Sequence, residues 1–191
     1  MRQPGDRSPA PPELALLQDF ANSIDIEAGR ETLASARDLT AFAVAHDLGR
    51  LAFDEADVPA AIRLREALRD VCEAHTGVDV PAASLGVLDA ELARAALRLT
   101  VDAGGRARAA PAPGLDGIPA LTACIAAGVL AAVAAGTWPR LKACGAHSCR
   151  WVYYDRSPGG RSRWCTMSIC GSRAKMRAYR STRASSTTKS G

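Results

Sequence analysis

Aromatic residues are scarce in this sequence of 191 residues, which has only three each of Phe, Trp and Tyr. A folded core must therefore be built mainly from Leu, Ala, Val and Ile side chains. Histidine is equally scarce, with three in total. His46 and His75 form no recognisable pair with a nucleophilic Ser or Cys, and we predict that they pack at the core edge and at a helix end. The sequence therefore predicts that the protein is not an enzyme.

Long apolar runs and targeting signals are also missing. The most apolar stretch, residues 120–135, is interrupted by Thr122 and Gly128 and is short for a membrane span. Residues 1–12 are rich in Pro, Gly and charge and lack the apolar centre of a signal sequence, so we expect a disordered leader. These features predict a cytoplasmic protein with no membrane partner.

Charge is distributed unevenly along the chain. Residues 140–191 contain twelve Lys and Arg against the single acidic residue Asp155, which gives this segment a net charge of +11. Because the whole chain carries +4, residues 1–139 carry −7. A basic tail on an acidic body is typical of proteins that contact nucleic acid, whereas the simpler interpretation is a tail that is basic for solubility.

The spacing of apolar residues predicts a mainly helical domain over residues 13–138. Apolar residues recur at helical intervals after Glu13, Ser35 and Asp38 form a capping box that starts a second helix, and Pro59 lies in the first turn of a third. On the third helix Cys72 is predicted to be buried. Five charged residues are predicted to surround the opposite, exposed face: Arg63, Arg65, Glu66, Arg69 and Asp70.

The second half of this domain contains a predicted hairpin and a central helix. A helix begins at Ser84, and after it apolar and polar residues alternate on either side of Gly104 and Gly105, which predicts a two-stranded β-hairpin. Residues 114–137 then form a helix of small apolar residues. We place this helix, with Cys124, at the centre of the domain.

Four cysteines near the carboxyl end form two matched pairs. Cys144 and Cys149 enclose four residues, as do Cys165 and Cys170, and residues 150–164 separate the pairs. Four thiolates brought together by two short loops offer a closed tetrahedral shell, and soft sulfur ligands select zinc. The usual zinc spacing has two residues inside each pair, so wider knuckles are expected. The sequence therefore predicts a Zn²⁺ site.

Three other interpretations of the cysteines are open at this point. Disulfides need an oxidising compartment, which the missing signal sequence argues against. An iron–sulfur cluster also takes four thiolates. A catalytic zinc ion would need an open coordination position, which His147 could create by replacing one cysteine, but we find no general base nearby.

The chain between and after the cysteines is predicted to form a hairpin and then a helix. Residues 151–154 and 161–164 are the two strands of this hairpin, and their aromatic side chains are expected to pack together or, alternatively, to stack on RNA bases. Ser172 can cap the helix, on which Met176 and Tyr179 are expected to pack against the hairpin. The residues predicted to contact nucleic acid are Arg161, Arg163, Arg173, Lys175, Arg177 and Arg180.

These motifs resemble the CGNR zinc-finger family. The resemblance is carried by DRS at residues 155–157, RWC at 163–165 and CGSR at 170–173, where Ser172 occupies the usual Asn position. The DFANSID element at residues 19–25 is similar to the DF-x-N-T-x-D element of the ABATE domain, which usually precedes this finger.

The resemblance implies a bacterial transcription regulator whose first domain senses a small molecule or a stress signal and whose finger binds duplex DNA. Through it, Asn22 and Asp25 become candidate ligand-binding residues, whereas the residues alone suggest that they satisfy local backbone groups at a helix end. A homodimer is expected, because one finger specifies only a short site, although no heptad seam is present. The alternatives are an RNA-binding module and a protein-interaction module with an acidic partner.

The sequence thus predicts an α+β fold. A disordered leader (residues 1–12) precedes a mainly helical ABATE-like domain with a small β-hairpin (13–138). A zinc-binding hairpin-plus-helix module (139–183) and a disordered tail (184–191) complete the chain.

Overall fold

The computed structural model describes residues 8–49 and 51–187, and their side chains as far as residue 180. The helices are α1 (Pro12–Ala21), α2 (Ala36–Ala45), α3 (Asp57–Ala74), α4 (Ala82–Arg94), α5 (Gly117–Ala134) and α6 (Ser172–Thr187). The strands are β1 (Ile24–Asp25), β2 (Arg30–Glu31), β3 (Leu97–Val101), β4 (Ala107–Pro111), β5 (Leu141–Ala143) and β6 (Val152–Tyr154). They form three antiparallel pairs, β1–β2, β3–β4 and β5–β6.

Both chain ends differ in part from the sequence-based expectation. Helix α1 already begins at Pro12, and α6 continues to Thr187, so residues 184–187 are helical rather than part of a disordered tail. Residues 180–187 contain no Pro or Gly that would end the helix after Arg180. The remaining expectations of disorder, for residues 1–7 and 188–191, lie outside the described residues.

Helices α1, α3, α4 and α5 enclose the main core, as the aliphatic spacing predicted. Leu14, Leu64 and Leu121 are fully buried there. The predicted capping box starts α2, because the Ser35 side chain accepts a hydrogen bond from the Asp38 N–H and Asp38 accepts one from the Ser35 hydroxyl. Burial of the aliphatic side chains in the main core is the main stabilising contribution to the domain.

Helix α5 lies at the centre of the domain, in the place predicted for it. By length and composition alone it could cross a membrane, with a mean hydropathy of 2.1, but core helices of globular domains pass the same test. It packs against α1, α4 and β4. The approach to α1 is so close that a Cβ atom on Gly128 would overlap the carbonyl group of Glu13. Cys124, expected in the core, is only half-buried.

The predicted hairpin is present as β3 and β4. Leu97 pairs with Pro111 at one end of the ladder and Val101 with Ala107 at the other. The turn between them contains Asp102, whose side chain accepts hydrogen bonds from two backbone N–H groups of the turn. Strand β4 rests on α5, so the hairpin is attached to the core through one of its two strands.

Two arginines on α3 that were predicted to be exposed are buried instead. Arg65 and Arg69 are 2% and 0% exposed, respectively. Arg65 donates to the Ser23 hydroxyl and to Glu31, and Arg69 donates to the backbone carbonyls of Ala21 and Arg150. Both guanidinium groups are buried because carboxylate and carbonyl acceptors surround them. Cys72 is fully buried, as predicted, and burial raises the pKa of its thiol to about 12.

The two histidines of the helical domain are packed against neighbouring groups. The His46 ring lies 4.4 Å from that of Phe42, and its Nε2 is 3.7 Å from Asp19. His75 ends α3, where its Nδ1 is 2.6 Å from the carbonyl oxygen of Leu141. Burial lowers the pKa of His75, so its ring joins the end of α3 to β5 as a neutral group near pH 7.

The β5–β6 pair differs from the predicted finger hairpin. Strand β6 pairs with β5, with Leu141 opposite Tyr154, and not with residues 161–164, which form no strand. Leu141 and Val152 lie in the main core cluster with α1 and α3 residues. This pair therefore uses the apolar face of the helical domain, and residues 161–164 remain as a loop beside it.

Candidate metal centre

The four cysteines predicted to bind metal lie together after the helical domain. Their Sγ atoms are all within 4.8 Å of one another. The Cys165 Sγ lies 3.6 Å from the Sγ atoms of both Cys149 and Cys170. Tetrahedral coordination with Zn–S bonds of about 2.3 Å places sulfur atoms about 3.8 Å apart. The cluster therefore has the dimensions of a four-thiolate metal site.

Backbone contacts bring the two cysteine pairs together. Cys144 directly follows β5, and the next residue, Gly145, donates its N–H to the carbonyl of Arg163, 3.1 Å away. This bond ties the first knuckle to the chain that carries Cys165. Cys170 lies in a π-helical turn, Met167–Gly171, that leads directly into α6. The wide spacing within the second pair is accommodated by this turn.

The four cysteines of the cluster differ in the direction in which their surroundings shift the thiol pKa. Hydrogen bonds from Cys149 and Cys165 lower the pKa of Cys144 to about 2. Hydrogen bonding to Cys144 raises the pKa of Cys149 to about 12 and also raises that of Cys165, and burial raises that of Cys170. A divalent cation would offset half of the charge of four thiolates, so the donor set fits a metal ion that displaces the remaining protons.

Two of the other interpretations of the cysteines, disulfides and a catalytic zinc site, receive no support. None of the six cysteines, all within the described part of the chain, forms a disulfide, and the 3.6 Å distances within the cluster exceed a disulfide bond. His147 is exposed and is not part of the four-sulfur group, so the open coordination position of a catalytic zinc site is not formed. Three of the four cysteines are buried, which is typical of a closed structural site.

Asp155 and Lys142 hold the loop between the two cysteine pairs. The Lys142 Nζ lies 3.0 Å from the Asp155 carboxylate, and both side chains are almost completely buried. Asp155 also accepts hydrogen bonds from the N–H groups of Ser157 and Ser162, at 3.0 and 2.8 Å. Burial alone would raise the pKa of Asp155, but the hydrogen bonds from Ser157 and Lys142 lower it below its usual range. The DRS motif is therefore a structural element of the finger.

A charged contact joins the first knuckle to α3. Arg150 follows Cys149 with a positive φ of 48°, and its guanidinium group donates to the carboxylates of Asp70 and Glu73. In return, Arg69 of α3 donates to the carbonyl oxygen of Arg150 at 2.8 Å. The finger and the helical domain are thus connected by reciprocal arginine contacts.

The Asn22 side chain makes a contact that neither prediction for it included. Its side-chain amide accepts a hydrogen bond from the Val152 N–H at 2.8 Å and donates one to the Val152 carbonyl at 2.7 Å. Asn22 is 1% exposed, so this pair of bonds holds the edge of β6 against α1. The local capping role suggested by the residues alone is wrong, because the amide is used across the two modules.

Asn22 and Asp25 nevertheless line a common cleft. The cleft has a volume of about 580 Å³ and lies between the β1–β2 turn and the cysteine cluster. Asp25 accepts a hydrogen bond from the Ala28 N–H and forms an ion pair with Arg30 across the strand pair. The candidate ligand-binding residues are therefore brought together, but each already has partners within the fold.

The basic residues predicted to contact nucleic acid are exposed in the structure. Arg161 and Arg163 lie in the loop before Cys165, and Lys175 lies on α6. The other three arginines line a shallow groove of about 510 Å³ together with Ser168 and Ile169: Arg173, Arg177 and Arg180. Arg173 also pairs with Glu27, at 2.7 Å. The predicted arginine face is thus a continuous surface beside the metal cluster.

Two further predictions for α6, the packing of its apolar residues and the capping role of Ser172, are wrong. Met176 and Tyr179 are 51% and 56% exposed and do not cover a hairpin, because β5 and β6 already pack on the helical domain. Ser172 lies within the helix, and its hydroxyl donates to the Met167 carbonyl at 3.1 Å instead of accepting a capping bond. The serine at the usual Asn position therefore links α6 to the π-helical turn.

Comparison with known proteins agrees with this architecture. The CGNR zinc finger model matches residues 140–183, and the ABATE model, described as "Putative stress-induced transcription regulator", matches residues 14–138. No curated protein matches the chain at the significance required. Because the second model covers more than half of the sequence, the chain belongs to the ABATE family and combines this domain with a CGNR zinc finger.

Proposed function

We propose that the protein is a cytoplasmic bacterial transcription regulator that binds duplex DNA through its zinc finger. The observation that carries this proposal is the groove formed by Arg173, Arg177 and Arg180 on α6, directly after the fourth cysteine. Guanidinium groups in this arrangement can pair with phosphates and, in a bidentate manner, with guanine edges. The helical domain is the proposed sensor of a small molecule or a stress signal.

Zinc is the proposed ion, bound by Cys144, Cys149, Cys165 and Cys170. With four thiolates the shell is closed, and the ion supplies structural stabilisation rather than a reactive water molecule. The chain's own residues then present the DNA-binding surface, because the π-helical turn that contains Cys170 sets the direction of α6. A module of this size buries too little apolar area to fold without such a crosslink.

Buried aromatic residues argue against the RNA alternative. Tyr153 and Tyr154 are 0% and 6% exposed, and the Tyr153 hydroxyl donates to the Ser162 carbonyl. Neither ring is available to stack on an unpaired base, which removes half of the predicted stacking platform.

Exposed apolar residues favour a protein contact in addition to DNA. Met167, Ile169, Met176 and Tyr179 are all at least 46% exposed around the start of α6. Clustered exposure of large apolar side chains is typical of interaction surfaces. Light scattering at increasing protein concentration tests the expected homodimer, and a monomer at every concentration would contradict it.

The DNA proposal is tested by selection from a random pool of DNA duplexes at moderate salt. We expect the reduced, zinc-loaded protein to enrich a short motif and a chelator-treated sample to enrich none. If about five basic residues pair with phosphates, log affinity should fall with log salt at a slope of about −4.5. Retention without an enriched motif would contradict sequence-specific regulation.

Two matched pairs of variants separate the role of the metal from that of the basic surface. Cys165→Ser should lose both zinc and DNA binding, whereas Cys124→Ser, at a half-buried cysteine outside the cluster, should keep both. Arg177→Gln should weaken DNA binding while zinc is retained. Arg63→Gln, which removes the same charge from an exposed position on α3, should not change DNA affinity.

A further inference from the structure

The cleft between the helical domain and the finger has the dimensions of a ligand site. Its volume of about 580 Å³ lies within the range of small-molecule pockets, and such pockets occur preferentially where two modules meet. One wall is formed by the β1–β2 turn, including Glu27 and Arg30, and the other by Trp151, Thr166 and Ile169 of the finger.

One buried hydroxyl group in this cleft has no hydrogen-bond partner among the residues that the structure describes. Among the lining residues, Asn22 is bonded to Val152, Ser23 accepts from Arg65, and Thr32 donates to the Ser23 carbonyl. The Thr166 hydroxyl is buried and has no hydrogen-bond partner within the described part of the chain. Such an unpaired polar group costs stability, and a bound ligand with a polar group would satisfy it.

The charges around the cleft select a cation. Asp25 and Glu27 line it together with one basic residue, Arg30, which pairs with Asp25, whereas Arg173, the partner of Glu27, lies outside the lining. Cys149, Cys165 and Cys170 also line it, and a four-thiolate zinc site retains a net charge of −2. An anionic ligand would be repelled, whereas an ammonium group would be attracted. The indole of Trp151 offers an apolar surface that also favours cations.

We propose that this cleft binds a small organic cation with an apolar portion, and that the bound cation competes with Arg173 for Glu27. The ammonium group pairs with Glu27 and Asp25 and donates to the Thr166 hydroxyl, while the apolar portion lies against Trp151 and Ile169. Release of Arg173 from Glu27 makes its guanidinium group available to phosphate. The release of Arg173 toward phosphate rests on the proposed DNA-binding function, whereas cation binding in the cleft does not.

Cation binding is tested on the zinc-loaded full chain with three probes of similar shape. 2-Phenylethylammonium should shift the indole N–H signal of Trp151 in a ¹H–¹⁵N spectrum in a saturable manner. Neutral 2-phenylethanol should bind more weakly, and anionic 3-phenylpropionate should not bind. The signal of Trp138, which packs on His75, is the internal reference. Equal binding of the cation and the anion, or saturable shifts at neither, would overturn the proposal.

The role of the unpaired hydroxyl is tested with a matched pair of variants. Thr166→Val keeps the shape of the side chain and should weaken 2-phenylethylammonium binding at least threefold. Thr122→Val removes the other buried threonine hydroxyl that has no hydrogen-bond partner in the described chain, and Thr122 lies outside the cleft. This variant should not change the affinity for 2-phenylethylammonium. Both variants are checked for one zinc ion per chain. Unchanged affinity in a zinc-loaded Thr166→Val protein would overturn the assignment.

The competition with Arg173 is tested from both sides. Arg173→Gln should tighten binding of 2-phenylethylammonium about two- to fivefold, since Glu27 then lacks its arginine partner, while DNA binding weakens. Glu27→Gln should weaken cation binding and strengthen DNA binding by a similar factor. If the protein binds no DNA, the cation titrations still decide the site. If Arg173→Gln leaves cation affinity unchanged, the competition is absent.

Discussion

At the scale of single residues, the buried pair of Lys142 and Asp155 should be essential to the finger. Asp155→Asn would leave the Lys142 ammonium group buried beside a neutral amide, which typically costs roughly 3–5 kcal/mol. We expect a large loss of thermal stability and a lower zinc content, measured by calorimetry and metal analysis. Asp89→Asn, on the exposed face of α4, is the matched control and should behave as the unmodified protein.

The same carboxylate sets a pH dependence of stability. The folded-state pKa of Asp155 is lowered, so its contribution is fully present above the ordinary Asp pKa and is lost as pH falls below about 4. The acid sensitivity of the finger should therefore be smaller in Asp155→Asn than in the unmodified protein. Identical slopes of stability against pH between pH 5 and 3 would contradict this assignment.

The cysteine pKa values predict how zinc affinity varies with pH. Cys144 is ionised at neutral pH, whereas the pKa values of Cys149, Cys165 and Cys170 are raised. Zinc must then displace three protons, so the logarithm of the zinc affinity should increase by up to about three for each pH unit. Competition with a chelator whose own protonation is known, at pH 6, 7 and 8, measures this slope. A slope near zero would mean that the thiols are already ionised.

Single residues also mark where sequence reasoning was insufficient. Arg65 and Arg69 lie four residues apart, next to the buried stripe that contains Leu64, Leu68 and Cys72. Their charge favoured an exposed assignment, because an arginine is rarely buried without partners. Apart from Glu66 on the same helix, those partners are carboxylate and carbonyl groups from segments distant in sequence, so helical periodicity alone could not identify them.

At the scale of elements, the close contact between α1 and α5 depends on Gly128. Gly128→Ala would bring a methyl group into the Glu13 carbonyl and force the helices apart, which we expect to cost about 1–3 kcal/mol. At Gly86 on α4 a Cβ atom would meet nothing within 4 Å. Gly86→Ala should therefore stabilise the protein by about 0.5–1 kcal/mol, through helix propensity. Denaturant unfolding that ranks the two variants in the opposite order would refute this packing.

Elements set by local sequence were predicted well, and those set by distant pairing were not. The capping box at Ser35 and the β3–β4 hairpin depend on neighbouring residues and were both found. The partner of β6 was wrong, because β5 lies on the other side of the Cys144 knuckle and its three residues are too few for a clear alternating pattern. The β1–β2 pair, with two residues per strand, gave no signal at all.

At the scale of the whole molecule, the metal cluster was the most predictable feature, because the cysteine spacing is visible in the sequence. The contacts between the metal cluster and the helical domain could not be predicted from the sequence. Asn22, Arg69 and Arg150 all bond across the two modules, and nothing in their local pattern indicates this role. Contacts between modules depend on tertiary position, so they require a structure.

These contacts predict that metal removal affects the helical domain as well as the finger. Leu141 and Val152 belong to the main core, and Arg69 and Asn22 bond to the chain beside the first knuckle. Loss of zinc would release β6 and leave the buried Arg69 guanidinium without one of its acceptors. Hydrogen exchange should therefore show reduced protection in β5, β6 and the second half of α3 after chelation.

The β3–β4 hairpin provides the internal control for this measurement, because it packs on α5 and pairs only within itself among the described strands. Its protection should change far less than that of α3 when zinc is removed. An equal loss of protection in all elements would indicate global unfolding rather than a local effect of the finger on α3. Unchanged protection in α3 would show that the two modules are independent. In the expected case, any ligand that stabilises the interface must also raise zinc affinity, because coupling between two sites is reciprocal.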